Sequence, residues 1–413
     1  MRLILPSFNS VASTLGCVAL LALASCGGGD GSGSLPPGPD MQPIVANASN
    51  TVPITVDQGL ASGANIPTVS VTVCAPGSST NCQTINQVQL DTGSYGLRIL
   101  SSALGAPLKA GLPRTGSALG PLAQCAKFAI GYAWGSVRTA DVKIGGETAL
   151  NLPIQVIGDL PDSSVPANGC VNGPAQNSVS NLGANGILGV GVAPYDCGGN
   201  CLSAVNSLYY TCPSGGAVCR QVGVPLQQQV ANPVPRFAVN NNGVIVQLPA
   251  VPTNGAASVN GTLVFGIGTQ PNNIMQSAAQ LFLTDSFGNL GNSSFNGQPV
   301  VAFFDSGSNA NFFADPSLPL CGQNYAGFYC PPFAQTRNLT VVGATGVQAN
   351  VSFNVVSAAT LFGVTSRFAF NNLAGQTGFS GTVDMGLPFF YGRYVYYGMD
   401  QRLWGGSAPY VAF

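Results

Sequence analysis

The sequence predicts an all-β protein built from two related halves. Short runs rich in Val, Ile, Thr and Phe are separated by clusters of Gly, Pro, Asn and Ser, which is typical of strands joined by turns. No long window has the periodicity of an amphipathic helix. A motif of an acid, a hydroxyl, a glycine and a second hydroxyl occurs twice, about one domain apart. The length of 413 residues fits two domains or one large β body.

The predicted strands are the runs in which β-branched and aromatic residues dominate. They are Thr68–Cys74, Thr84–Leu90, Lys127–Tyr132, Leu152–Ile157, Val244–Leu248, Thr262–Phe265, Val300–Phe304 and Val351–Val356. Short helical turns are expected at Pro225–Ala231 and Asp315–Leu318. After each acidic motif comes a segment that pairs apolar residues with glycine, at Gly186–Gly189 and at Met385–Leu387. Glycine there would let the segment pack closely under the acidic loop.

The repeated motif reads Leu90-Asp91-Thr92-Gly93-Ser94 in the first half and Phe304-Asp305-Ser306-Gly307-Ser308 in the second. Gly93 and Gly307 allow the tight turn that presents a carboxyl group at the end of a strand. If the two loops meet, two carboxyl groups a few ångströms apart cannot both ionise, so they share one proton. Such a pair offers a base and an acid together, which is the chemistry of amide hydrolysis by an activated water.

We therefore predict that Asp91 and Asp305 are the catalytic residues. The outer hydroxyls, of Ser94 and Ser308, can donate to the carboxylates. The inner hydroxyls, of Thr92 and Ser306, can brace the opposite loop. The alternative for all four hydroxyls is ordinary turn chemistry, and a single Asp-Thr-Gly is itself a common β-turn.

The composition excludes several classes of mechanism. The chain has no histidine, so neither a Ser-His-Asp nor a Cys-His site is available, and histidine-ligated zinc is excluded as well. With a net charge of −1 and only 13 Lys plus Arg, there is no basic surface for nucleic acid or for a polybasic membrane contact. We predict no cofactor and no metal.

The N-terminal region has the features of an export signal rather than of a folded domain. An apolar stretch, Leu15–Ala24, is too short to span a bilayer and ends at Ser25-Cys26. Residues 1–25 resemble a bacterial lipoprotein signal peptide, with Cys26 as the lipidated residue; the alternative is an ordinary signal peptide cleaved after a small residue. Residues 26–44 read as a flexible Gly/Ser/Pro tether. We expect lipid anchoring in the bacterial cell envelope, at the outer membrane, facing the periplasm or the cell surface.

Ten cysteines follow Cys26, an even number that predicts disulfides in an exported protein. Pairing of close neighbours suggests Cys74–Cys82, Cys197–Cys201, Cys212–Cys219 and Cys321–Cys330, which leaves Cys125 with Cys170. A metal cluster is the rival reading, but the chain has no C-x-x-C pair.

Over residues 65–413 the chain resembles the pepsin-like, bilobal aspartic proteases. The two Asp loops are the specific part of the match. Weaker parts are Phe128–Ser136, similar to the family's flap hairpin, and Ala184–Gly191, Gly261–Gly266 and Gly386–Ala408. The resemblance implies a central cleft between two lobes related by a pseudo-two-fold axis, at residues 45–245 and 246–413. It also implies a flap with Tyr132 facing the substrate, supported by Gly135 and Ser136; the alternative for Tyr132 is an ordinary cross-strand aromatic.

The chain departs from that family at several positions. Arg98 occupies the register of the family's tryptophan behind the first Asp loop, and we interpret it as a surface or satisfied cleft-edge arginine. Leu387 stands where the family has an aspartate, and the flap strand is shortened after Ser136.

Two classes of function follow from the sequence. The first is a monomeric, membrane-anchored envelope endopeptidase that acts on peptide or protein substrates. The second is a non-enzymatic envelope protein on the same fold that binds peptide, glycan or a protein partner. A third interpretation, an adhesin or a structural β lipoprotein with coincidental turns, predicts that the two aspartates lie far apart.

Overall fold

The computed structural model describes residues 44–117, 120–212 and 219–413. The predicted signal peptide, Cys26 and nearly all of the tether lie outside these ranges. Within them, no helix combines the length and the apolar character needed to cross a bilayer.

The described residues are mostly strand, as predicted from the sequence. The strands of the first half are β1 (Thr51–Val56), β2 (Pro67–Cys74), β3 (Cys82–Asp91), β4 (Tyr95–Leu100), β5 (Gly116–Ser117), β6 (Gly120–Phe128), β7 (Gly131–Ile144), β8 (Glu147–Ile157), β9 (Gly186–Val190), β10 (Tyr209–Thr211) and β11 (Arg220–Gln221). Those of the second half are β12 (Gly243–Leu248), β13 (Val259–Phe265), β14 (Leu281–Leu283), β15 (Leu290–Phe295), β16 (Gln298–Phe304), β17 (Asn311–Phe313), β18 (Gln335–Val342), β19 (Gln348–Val355), β20 (Ala374–Gln376), β21 (Thr382–Met385), β22 (Arg393–Gly398) and β23 (Tyr410–Ala412).

The helices of these ranges are short. The α-helices are α1 (Ala106–Gly111), α2 (Val179–Leu182) and α3 (Ala358–Phe362). Single-turn 3-10 helices occupy Ser101–Ala103, Asp162–Ser164, Gly198–Leu202, Ala204–Asn206, Leu226–Gln228, Val234–Arg236, Gln323–Tyr325, Leu387–Phe390 and Arg402–Trp404.

The strands form two sheets. The larger has 16 strands, in the order β11-β10-β6-β7-β8-β4-β9-β3-β2-β1-β13-β12-β22-β23-β14 with β5 beside β6. The smaller has seven strands, in the order β19-β18-β15-β16-β21-β17-β20. The larger sheet runs from the first half of the chain into the second through the antiparallel pair β1–β13, so one layer of buried apolar side chains continues through both halves.

Both halves contain the same local arrangement around their Asp loop. In the first, β3 ends at Asp91 and the chain turns into β4, while β9 lies between them, parallel to β3 and antiparallel to β4. In the second, β16 leads into Asp305 and β17 follows, while β21 lies between them, parallel to β16 and antiparallel to β17. This repetition gives the fold its pseudo-two-fold character.

The glycines predicted to pack under the Asp loops do so. A Cβ on Gly189 would lie 2.6 Å from the backbone nitrogen of Tyr95. In the second half, a Cβ on Gly386 would lie 2.6 Å from the carbonyl oxygen of Ser308. Since both distances are shorter than van der Waals contact, only glycine lets these segments approach the loops without displacing them.

Asn65 ties the start of the first half to the second. Its side-chain amide donates to the carbonyl oxygens of Asn309 and Phe370, both at 2.9 Å, and its oxygen accepts from Phe370 N–H and the Tyr391 hydroxyl, both at 2.8 Å. The predicted division between residues 245 and 246 falls inside β12 and remains a prediction.

All five predicted disulfides are present: Cys74–Cys82, Cys125–Cys170, Cys197–Cys201, Cys212–Cys219 and Cys321–Cys330. Four of them close short loops, whereas Cys125–Cys170 spans 45 residues.

We expect a reducing agent to lower the melting temperature markedly, because cross-links restrict the unfolded chain. By loop-closure entropy the Cys125–Cys170 bond contributes about 4 kcal/mol and the four-residue Cys197–Cys201 separation about 2 kcal/mol. Thermal melts with and without reductant test the sum. Paired Cys→Ser variants at these two bridges test the ranking, with the short bridge as the control. A melting temperature indifferent to reductant would show that the thiols are free.

Two local predictions were wrong. The predicted strand Lys127–Tyr132 contains a hairpin turn, since β6 ends at Phe128 and β7 begins at Gly131, whose φ is +142°. The predicted helical turn Asp315–Leu318 is a non-helical turn, in which the Asp315 carboxylate accepts from the backbone N–H and the hydroxyl of Ser317. The helical turn predicted at Pro225–Ala231 is a 3-10 helix over Leu226–Gln228.

Candidate active site

The first Asp loop holds its carboxyl group by short local hydrogen bonds. Asp91 Oδ1 accepts from the backbone N–H of Gly93 at 2.8 Å, and Oδ2 accepts from the Ser94 hydroxyl at 2.6 Å. The Asp91 side chain has no exposed surface. Its orientation is therefore fixed by the Asp-Thr-Gly-Ser turn itself.

The second loop repeats this geometry. Asp305 Oδ1 accepts from Gly307 N–H at 2.7 Å, and Oδ2 accepts from the Ser308 hydroxyl at 2.9 Å. Asp305 is also completely buried. The two motifs thus produce equivalent local structures as well as similar sequences.

The two inner hydroxyls brace the loops against each other. Thr92 N–H donates to Ser306 Oγ at 3.1 Å, and Ser306 N–H donates to Thr92 Oγ1 at 2.9 Å. The Ser306 hydroxyl also donates to the carbonyl oxygen of Leu90 at 2.9 Å, and Thr92 Oγ1 lies 3.3 Å from that of Phe304. Because each hydroxyl reaches across to the other loop, the relative position of the loops is set by four buried contacts.

This bracing places the two carboxyl groups in direct contact. Asp91 and Asp305 hydrogen-bond each other, which requires a proton between them. Gly93 lies against the second carboxyl, since a Cβ at this position would be 2.5 Å from Asp305 Cγ. The structure thus brings together residues 214 positions apart in the chain.

The environment favours one shared proton. Burial, reinforced by the negative charge of Asp305, raises the pKa of Asp91 to about 7. The pKa of Asp305 is lowered in spite of the raising effect of its burial, and hydrogen bonds from Asp91 and Ser308 are among the causes. The proton belongs to the coupled pair. At mildly acidic to neutral pH the pair can therefore act as acid and base at once.

A third carboxyl group, which the sequence analysis missed, adjoins this pair. Asp384 is 9% exposed, and its Oδ2 lies 2.6 Å from the Ser308 hydroxyl, which also contacts Asp305. A hydroxyl has one proton, so both contacts are satisfied only when one of these two carboxyl groups carries a proton. The signal in the sequence is its position, directly before the Met385–Leu387 segment that packs under the loop.

Two further buried side chains support the loops and were also missed. The Tyr397 hydroxyl donates to the carbonyl oxygen of Phe304 at 2.9 Å and accepts from Thr92 Oγ1 at 3.1 Å. The Gln89 side-chain amide donates to the carbonyl oxygen of Gly307 at 2.9 Å. The partners of both residues are distant in sequence, and neither residue belongs to the two Asp motifs.

The predicted flap is the β6–β7 hairpin. Tyr132 lies beside its turn, and its side chain packs against a cluster that includes Cys125, Trp134 and Cys170. Gly135 and Ser136 lie further along β7 and are buried. The Ser136 backbone N–H and hydroxyl donate to the Asp159 carboxylate at 2.8 and 2.5 Å. The flap roles of these residues remain predictions.

A neighbouring loop, residues 172–176, clamps the tip of this hairpin. Tyr132 N–H donates to the carbonyl oxygen of Pro174 at 3.2 Å, and Gln176 N–H donates to that of Tyr132 at 2.7 Å. The side chains of Asn172 and Gln176 donate to the carbonyl oxygens of Phe128 and Ile130 at 2.9 and 3.2 Å. The Cys125–Cys170 disulfide holds the base of the same loop to β6.

The interpretation of Arg98 as a surface or cleft-edge residue was wrong. Its side chain is completely buried and forms an ion pair with Asp196 at 3.3 Å, in which both side chains have no exposed surface. The Arg98 guanidinium also donates to the carbonyl oxygens of Tyr95 and Gly96 at 2.8 and 3.3 Å. Arg98 is therefore a buried, ion-paired arginine behind the first Asp loop.

The all-β fold in two halves, with an Asp loop at equivalent places in each, defines the class as the pepsin-like fold. A solved structure of that class, an aspartic proteinase from Irpex lacteus, superposes with a TM-score of 0.50 over 88% of this chain and 97% of the proteinase, at 14% sequence identity. This likeness shows the fold. No curated protein sequence matches the chain.

The family of the chain is shown by sequence. A family model described as "Protein of unknown function (DUF3443)" matches residues 46–413, and the chain belongs to that family. The match covers both Asp loops.

Proposed function

We propose that this protein is an aspartic-type endopeptidase that hydrolyses peptide bonds with a water activated between Asp91 and Asp305. The observation that carries the proposal is the hydrogen-bonded contact of these two carboxyl groups, each at the end of an equivalent strand. A protein that only binds its ligand has no physical need for two facing acids, which are costly to bury.

The mechanism follows from the shared proton. The ionised carboxylate removes a proton from the bound water, whose oxygen adds to the carbonyl carbon of the peptide. The protonated carboxyl donates to the carbonyl oxygen, which gives a neutral tetrahedral intermediate. Breakdown of this intermediate breaks the C–N bond as the nitrogen takes a proton and the carboxyl pair is restored. Ser94 and Ser308 keep both carboxyl planes fixed throughout.

The substrate we propose is an extended peptide with apolar side chains. By analogy with the fold class, such a peptide lies across the carboxyl pair between the two lobes. Few charged residues are available to select charged substrates, since Asp, Glu, Lys and Arg make up 7% of the chain.

Incubation of the mature protein with a mixed peptide library, between pH 3 and 8, tests this proposal directly. We expect internal cleavage, detected by mass spectrometry, that a dyad-directed transition-state inhibitor blocks. Absence of cleavage at every pH, in protein shown to be folded and to have intact disulfides, would contradict it.

The clamped hairpin favours a second candidate, a peptide-binding protein without catalysis. Hydrolysis by this fold needs the flap to open and close over the substrate, whereas residues 172–176 hold this hairpin by several hydrogen bonds. Peptide binding without cleavage in the same library experiment would favour this candidate.

We also propose that the protein is a lipoprotein anchored through Cys26 in the cell envelope, at the outer membrane. Support comes from the sequence, in which an apolar stretch precedes the cysteine and a Gly/Ser/Pro segment follows it. Changing Cys26→Ser is expected to move the protein from the membrane pellet to the soluble fraction, because the acyl chains supply the anchoring energy. Cys17→Ser, within the same leader, is the matched control; persistence of the Cys26 variant in the pellet would mean a different anchor.

A further inference from the structure

Apart from the carboxyl groups around the candidate active site, the charges most completely removed from solvent are Arg98 and Asp196. Neither side chain has any exposed surface. Burying two charges costs free energy that their attraction repays only partly, so a buried ion pair is weak evidence for stability. The position of this pair in the fold suggests a role at the first Asp loop instead of a role in stability.

Arg98 lies directly behind the first Asp loop. It sits in β4, and its two backbone acceptors, Tyr95 and Gly96, follow Ser94 without interruption. Ser94 in turn holds the carboxyl of Asp91. Through these bonds the guanidinium fixes the backbone directly after Ser94, whose hydroxyl donates to Asp91.

Asp196 connects Arg98 to the flap hairpin. Its carboxylate accepts from the side-chain amide of Gln124, in β6, and from the Tyr209 hydroxyl at 2.6 Å. The Tyr209 hydroxyl oxygen also accepts a hydrogen bond from the side-chain amide of Gln124 at 3.2 Å. The ring of Phe128, at the end of β6, lies 5.9 Å from the guanidinium carbon. One buried network therefore joins the flap strand to the Asp loop.

The charge of Arg98 also reaches the carboxyl pair. Arg98 interacts electrostatically with Asp91 as well as with Asp196 and Tyr209, and all four residues are completely buried. Burial raises the pKa of Asp196 to about 6, while Arg98 and the Tyr209 hydrogen bond lower it. Below that pH Asp196 becomes neutral, and the positive charge of Arg98 then acts on Asp91 without compensation.

We propose that Arg98, with Asp196 as its counter-ion, is a positioning residue of this site that orders the first Asp loop and electrostatically favours the ionised form of the carboxyl pair. The inference rests on the proposed function for its use in hydrolysis. Asp196 then adjusts the effect with pH: the less it is ionised, the more strongly Arg98 favours the ionised pair. The site would keep one carboxylate under mildly acidic conditions.

The test measures ionisation of the pair without requiring activity. For each background, the melting temperature is compared with that of its Asp91→Asn derivative between pH 3 and 9. The difference reports titration of the carboxyl pair, in which Asp305 is coupled to Asp91. Asp384, Tyr209 and Tyr397, the other titratable groups facing this network and the pair, are common to both members. We call the pH at which this difference reaches half of its full change the midpoint. For the native protein the midpoint is expected near pH 7.

The proposal predicts shifts of opposite sign. Asp196→Asn leaves Arg98 uncompensated and lowers the midpoint, whereas Arg98→Met with Asp196→Asn removes the positive charge that acts on Asp91 and raises it, each by at least about half a pH unit. Arg98→Lys, which keeps the charge, stays near the native midpoint. A role in packing alone would not give shifts of opposite sign.

The double variant is the one most able to fold, since it leaves no buried unpaired charge. Gln124 Oε1 has no hydrogen-bond partner among the described residues, so it can accept from the new amide at position 196. If Asp196→Asn alone does not fold, the midpoint of the double variant can still be compared with that of Arg98→Lys. This comparison shows whether the positive charge at position 98 lowers the midpoint. Coincident midpoints in these two would overturn the proposal.

A hydrolysis assay on the same variants separates this inference from the proposed function. Shifted midpoints without any peptide cleavage would leave the electrostatic role intact and remove the protease. Cleavage with unshifted midpoints would support the protease and contradict the electrostatic role of Arg98. If the protein is a protease and Arg98 has this electrostatic role, the pH profile of cleavage moves in the same direction as the midpoints.

Discussion

Asp91→Asn is expected to reduce peptide hydrolysis by about 10³-fold or more while making the folded protein more stable at neutral pH. Activity falls because the amide neither ionises nor transfers a proton, and proton transfer by positioned groups contributes about 10²–10⁴-fold on its own. Asp305→Asn is expected to cause a loss of the same order, since the reaction needs both members of the pair.

The stability effect follows from the pKa of Asp91, about 7 in the folded protein against a usual value of 3.8. A raised pKa means that the folded state keeps its proton while the unfolded chain loses it. The contribution of Asp91 to stability is therefore fully present below about pH 4 and is lost as the pH rises through about 7. Asparagine does not titrate, so the variant is expected to escape this decline.

Activity assays and thermal melts of the purified variants between pH 4 and 8 check both effects. Asp162→Asn, at an exposed carboxyl, is the matched control and is expected to change neither quantity. Retained hydrolysis in either dyad variant would remove the proposed mechanism. A stability difference independent of pH would show that Asp91 is ionised in the folded state.

Gly93→Ala is expected to abolish hydrolysis and to destabilise the protein by several kcal/mol. The added methyl carbon would lie 2.5 Å from Asp305 Cγ and 2.7 Å from each of its carboxyl oxygens. The loops cannot move apart to make room, because Thr92 and Ser306 hold them by reciprocal hydrogen bonds. Overpacking of this kind typically costs about 1–3 kcal/mol, to which broken buried hydrogen bonds add.

Gly378→Ala provides the control, since a Cβ there meets nothing within 4 Å. We expect this variant to retain native melting and native hydrolysis. Denaturant titration and the peptide assay, performed on both variants, compare the two positions. A Gly93→Ala protein with native activity would show that Gly93 does not lie against the Asp305 carboxyl group in solution.

The parts of the structure that the sequence predicted are those encoded by neighbouring residues. Each Asp loop is a turn whose glycine and hydroxyl lie within three positions of the acid, so its local geometry could be read from five residues. Four of the disulfides join cysteines no more than nine positions apart, and the fifth followed once those were assigned.

The supporting residues could not be read in this way because their partners are distant. Arg98 meets Asp196 98 positions away, Ser308 meets Asp384 76 positions away, and Thr92 meets Tyr397 305 positions away. A single sequence gives no record of such pairs. An arginine in a strand is usually exposed. The burial of Arg98 could therefore be recognised only once its ion pair with Asp196 was known.

The hairpin was misassigned for a different physical reason. Ala129 and Ile130 are apolar and continue the strand-like pattern across the turn, so composition alone does not mark the reversal. The backbone marks it, since Gly131 adopts a φ of +142° that other residues rarely reach. The clamp by residues 172–176 likewise depends on backbone carbonyl groups, which carry no sequence signal.

Assembly of the carboxyl pair from loops 214 residues apart also determines when the protein can act. Before Asp305 joins the fold, Asp91 has no partner with which to share a proton, and β1 lacks its neighbour β13. If the protein is the hydrolase proposed above, a chain whose second half has not folded is therefore inactive, however far its first half has folded. The candidate active site is complete only when both Asp loops are in place, so activity would depend on the folding of nearly the whole chain.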